Sequence, residues 1–206
     1  MKKFSLIAFV LFLVSLLGPL TLIFLYGRAL LRPEEYASFI FRAGMAMYII
    51  EFLSIHSSGM LLGAARDKQK KKLNPFLLLG LYTIFVVGFM VVLHCWFIGL
   101  YFIGSLCAKI FVFQSVKDNI NISQIVFNVI NLLFSTFIVM GSASLLKRVF
   151  PIPESVLSQR AEGSSGLFVE IPQTLLVWGV LYFSFTIIFN TIMFFRHNAG
   201  TAFQEA

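Results

Sequence analysis

The stretch EFLSIHSSG, residues 51–59, sets a carboxylate, an imidazole and three hydroxyls inside an otherwise apolar segment. Acid, base and hydroxyl together raise three kinds of chemistry: attack by a histidine-activated serine, proton relay through Glu51, and metal or haem ligation by His56. Helical geometry separates them. At about 100° per residue, Gly44, Glu51 and Ser58 fall within about 20° of one line, with Met47 and Ser54 beside it. His56 lies about 140° away, on the line of Gly59 and Gly63, whose spacing allows another helix to approach closely. A Glu51–His56 dyad on one helix is therefore not expected. The motif resolves into two faces that meet different neighbours.

The remaining chemistry finds little support. The serines have no carboxylate at a triad spacing, and the chain has no G-x-S-x-G and no glycine-rich phosphate loop. Three histidines without H-E-x-x-H or clustered cysteines give no zinc signature, and Cys95 and Cys107, with no C-x-x-C spacing, read as buried free thiols. No cofactor is expected. The alternative, haem b held by His56 and His94, needs both imidazoles at one depth, whereas His94 falls near the opposite interface. His197 follows the last span at head-group level, and the glycosylation triplet at Asn121 falls on the inner side.

The elements that carry these residues are set by composition. Of 206 residues, 59% are hydrophobic and 12% charged, and 25 are phenylalanine; a soluble domain has about a quarter of its residues charged. The expected fold is an all-α integral membrane protein, a single polytopic helical bundle over residues 1–206. Spans are expected over about 4–27, 36–65, 75–93, 96–113, 122–146 and 174–195, with 147–173 as an extramembrane loop. The first has a basic start like a signal peptide, but its apolar run is too long for one; it reads as a retained span, kinked at Gly18 and Pro19. Pro33, Glu34 and Glu35 read as the first turn of the second.

Residues 75–113 are the ambiguous stretch. As one helix they would be about 58 Å long, roughly twice the hydrocarbon thickness, so they divide into two spans near His94–Trp96 and the total is six. Five results if 75–113 form one helix. The net charge of +7 sits largely in connectors. Arg66, Lys68, Lys70, Lys71 and Lys72 form a topology anchor or lipid head-group contact, and no aromatic residue interleaves them as a nucleic-acid surface requires. The N-terminus is thus expected in the cytoplasm of a cell membrane of bacterial inner-membrane type.

Depth then groups the polar residues. Counted from the basic connector, His56 lies about 12 Å and Glu51 about 20 Å into the bilayer, with Lys109, Asn128, Asn131 and Asn190 at about 10 Å. Together with Ser54 and Ser58 they make one intramembrane polar layer centred on Glu51. Partners are the lipid bilayer and other membrane chains or further copies. The expected role is an accessory or structural subunit of a larger membrane complex rather than an enzyme. The alternative is a small transporter or proton-conducting protein with Glu51 as the titrating carboxylate. A redox or enzymatic role through His56 ranks third.

Overall fold

A computed structural model describes residues 6–66, 75–93, 101, 120–160 and 165–203. Among them every regular element is helical. Helix α1 is Leu6–Leu31, a π-helix over Phe39–Gly44 leads into α2, Met45–Arg66, and α3 is Pro75–Leu93. Helix α4 is Ile120–Gly141, followed by short helices α5, Ala143–Val149, α6, Glu154–Leu157, and α7, Leu167–Glu170. Helix α8, Pro172–Phe203, begins at a proline, whose missing N–H costs nothing in a first turn.

Among the described residues three stretches are long and apolar enough to cross a membrane: Phe12–Leu31, Phe39–His56 and Pro172–Phe195. A fourth follows if α4 and α5 count as one bent span. Helix α1 runs through Pro19 without a break in its assignment, and it ends one residue short of the position before Pro33, where helical geometry is disfavoured. Glu34 and Glu35 lie in the turn between α1 and the π-helix rather than in a helical first turn, and Glu35 accepts from Arg32 at 3.1 Å.

Ring contacts fix the helix directions. Phe12 stacks on Phe194 at 4.1 Å while Tyr26 meets Trp178 at 6.4 Å, so α1 and α8 are antiparallel. Tyr48 meets Trp178 and Glu51 meets Tyr182, so α2 runs parallel to α8. Phe127 stacks on Phe189 at 3.7 Å and Phe134 meets Phe185, so α4 is antiparallel to α8 and parallel to α1. Helix α2 is innermost: 56% of its spanning window is buried, against 22% for α1.

Tyr26 is the centre of the packing. Fully buried, it lays its ring on the backbone of Gly179, where a Cβ would come within 2.5 Å of the ring, and donates its hydroxyl to the Gly44 carbonyl at 2.9 Å. Phe39, Trp178 and Phe183 enclose it. Because lipid is as apolar as a leucine side chain, such close packing and internal hydrogen bonds hold membrane helices together more than apolar burial does. Ridges on α1 (Leu13, Leu17, Leu20, Phe24) and α4 (Val126, Ile130, Leu133, Phe137) stay exposed, spaced as one helical face each.

Two expected elements differ. The helix expected over 122–146 breaks at Ser142, where α5 departs at 68° to α4. Ser142 has left helical geometry (φ −102°, ψ 6°), follows Gly141, and donates its hydroxyl to the Ile138 carbonyl at 2.7 Å, a bond known to bend helices. The stretch expected as a loop over 147–173 contains the end of α5 together with α6 and α7.

Candidate functional site

Glu51 is the buried carboxylate among the described residues, 7% exposed on the inner face of α2. Its two carboxylate oxygens accept from two tyrosines: Tyr182 on α8 donates at 2.8 Å to one, and Tyr101 donates to the other. Among the described residues Glu51 forms no ion pair; those present join Arg28 and Arg32 to Glu35. Two phenolic donors therefore replace water around a carboxylate in the apolar interior, which would otherwise be costly to bury.

Packing positions both donors. The Tyr182 ring stacks on Trp178 at 5.1 Å and 15°, one helical turn away, and meets Phe183 edge-on. Tyr101 lies edge-on to Phe183 and fills the space beside Gly18, where a Cβ would stand 3.2 Å from its ring. Gly18, expected to kink α1, thus makes room for a ligand of Glu51.

Asn131, 3% exposed on α4, adds a second layer. Its amide donates to the Tyr182 carbonyl at 3.0 Å and to Thr186 Oγ1 at 3.2 Å, and its oxygen accepts from the fully buried Ser135 hydroxyl at 3.1 Å. Glu51 and Asn131 do not touch. They are joined through Tyr182, whose side chain serves one and whose backbone serves the other.

The other expected members distribute unevenly. Ser54 is buried on α2, and Asn128 and Asn190 are half-buried on α4 and α8; each has an interaction partner. His56 is exposed, its ring parallel to that of Phe52 at 6.4 Å, and it belongs to the outer face of α2 as its helical angle implies. Ser58 and Arg66 lie on α2, with Arg66 as its last residue. Lys109, His94 and Lys68, Lys70, Lys71 and Lys72 fall outside the described residues.

The tyrosines were the residues missed. A readable signal was present: Trp178, Tyr182, Thr186 and Asn190 recur every fourth residue along α8, a polar-capable stripe on one face of an apolar helix. Aromatic contacts extend it from Tyr182 through Trp178 and Tyr48 to Phe168. There a cavity of about 290 Å³ is lined by Met45, Tyr48, Thr136, Met140 and residues 165–169, and the Glu51 cluster does not line it. Among the described residues no group of three or more His, Cys, Asp or Glu could hold a metal. Chemically the site is a buried carboxylate held by two hydroxyl donors. No protein-family model, curated protein or solved structure matches the chain.

Proposed function

We propose that this chain is a six-span membrane protein with its N-terminus in the cytoplasm, acting as an accessory or structural subunit of a larger assembly in a cell membrane of bacterial inner-membrane type. The observation that carries the role is the Glu51 carboxylate, each of whose oxygens accepts from a tyrosine hydroxyl. The two bonds tie α2 to α8 and to residue 101. The exposed apolar ridges of α1 and α4 suit lipid or companion helices.

Helix direction supports six spans. A short connector joins α2 to α3, the two helices pack together, and α3 therefore runs opposite to α2, in the same sense as α1 and α4. On this reading the chain recrosses the membrane between the end of α3 and the start of α4. Tyr101 beside Glu51 is where a returning segment would pass. One straight helix over 75–113 would carry residue 101 about 39 Å from Pro75, whereas Glu51 lies about 22 Å from Arg66.

Mild-detergent extraction from the native membrane, followed by size and mass analysis, tests the role. Stoichiometric companion chains are expected, and a monodisperse chain alone, also after crosslinking in the membrane, would overturn it.

A second reading, a small proton-conducting or transport protein, is favoured by one observation: Glu51 has no cationic partner among the described residues. Flux into proteoliposomes separates the two. Lower flux for Glu51→Gln than for wild type supports transport, and equal flux removes it.

A further inference from the structure

We infer that α5 is an in-plane membrane anchor that docks on anionic phospholipid at the face opposite the basic connector, an inference that rests on the membrane-spanning reading above. Helix α4 has 22 residues, about 33 Å, enough to cross the hydrocarbon layer before the break at Ser142. The 68° bend turns α5 away from the α4 axis and, on the membrane-spanning reading, toward the membrane plane.

The seven residues of α5 divide into three sectors. Ala143 and Leu146, about 60° apart on the helix, are buried against the protein. The turn that follows is pinned to α8 by the Gln173 amide, which donates to the Phe150 carbonyl at 2.9 Å. Leu145 and Val149, about 40° apart, are 61% and 56% exposed. Ser144, Lys147 and Arg148 fill the third sector and are exposed.

An ordinary surface helix has two faces, one buried and one polar. Here a third, apolar and uncovered, adjoins the cations, and α4 before it likewise leaves Leu133, Phe137 and Met140 exposed. Among the described residues neither Lys147 nor Arg148 forms an ion pair. A phospholipid supplies both complements at once: acyl chain against Leu145 and Val149, and a phosphate against the two cations.

Site-directed spin labels test this in a Cys95→Ala, Cys107→Ala background, reconstituted in vesicles of phosphatidylglycerol and phosphatidylcholine. A label at Leu145→Cys is expected to collide with oxygen more than with a water-soluble nickel complex, and one at Ser144→Cys to do the reverse. Phe137→Cys on α4 is the control for the membrane reading. If the Phe137 label lies in lipid while the Leu145 label is aqueous, or shielded from both reagents, the anchor is refuted and the membrane reading stands. If both are aqueous, that reading fails as well. In the second arm, wild type is expected to retain phosphatidylglycerol over phosphatidylcholine after purification, and Lys147→Gln with Arg148→Gln to lose about fivefold of that preference per cation. An unchanged preference would refute the phosphate contact.

Discussion

Replacing Gly179 with alanine places a methyl group 2.5, 2.5 and 2.6 Å from three atoms of the Tyr26 ring. Carbon atoms are comfortable at about 3.5–4.0 Å, so the ring or the helix must retreat by about 1 Å. The ring has no room to do so, being fully buried, enclosed by Phe39, Trp178 and Phe183, and pinned through its hydroxyl to Gly44. Overpacking costs about 1–3 kcal/mol and a displaced Tyr26 hydroxyl about 1 kcal/mol more, so Gly179→Ala should destabilise by about 2–4 kcal/mol. In detergent the thermal unfolding midpoint should fall by roughly 5–10 °C. Gly27→Ala is the control: nothing lies within 4 Å of the added Cβ, and the better helix propensity of alanine should leave that variant unchanged or slightly stabilised. In a Tyr26→Ala background the Gly179 methyl should become nearly neutral, and the double-mutant cycle isolates the contact. Equal midpoints for Gly179→Ala and Gly27→Ala would refute the proposed closeness of α1 and α8.

Tyr182→Phe removes a donor from a buried carboxylate and should cost about 1.5–3 kcal/mol, read by the same unfolding assay; no loss would mean that Glu51 finds its donors elsewhere. Asn131→Leu deletes the bridge to α8 and, at the strength of intramembrane hydrogen bonds, should cost about 1–2 kcal/mol by the same assay; an unchanged midpoint would refute the bridge. His56→Ala, at an exposed position, should leave stability within about 0.5 kcal/mol. A Soret band in the purified wild type that disappears in His56→Ala would restore the haem alternative.

Hydrophobic length and helical projection carried the sequence reading some distance. The apolar runs marked α1, α2 and α8 because a span must satisfy its own backbone, which makes long uncharged segments legible one at a time. The angle between Glu51 and His56 predicted opposite faces, and one is buried while the other is exposed. What escaped was pairwise. Tyrosine is ordinary at a membrane interface, so nothing in Tyr182 or Tyr101 taken singly announces a donor to a buried carboxylate. The π-helix at Phe39–Gly44 and the break at Ser142 depend on where neighbouring carbonyls find donors, Tyr26 in one case and Ser142 itself in the other. Gly179 is the seat of the Tyr26 ring, a contact between two helices that neither residue announces alone.

The pairing of α1 with α8 also bears on biogenesis. Helix α1 packs more extensively on α8 than on any other described element, yet roughly 140 residues separate the end of one from the start of the other, and at 5–20 residues per second their synthesis takes on the order of 10–30 s. Until α8 follows, the Tyr26 ring lacks its Gly179 seat, although the Gly44 carbonyl that accepts its hydroxyl comes only 18 residues after it. Closure of α1 therefore waits for α8, and a chain that stops before Pro172 lacks the helix on which α1 packs most extensively.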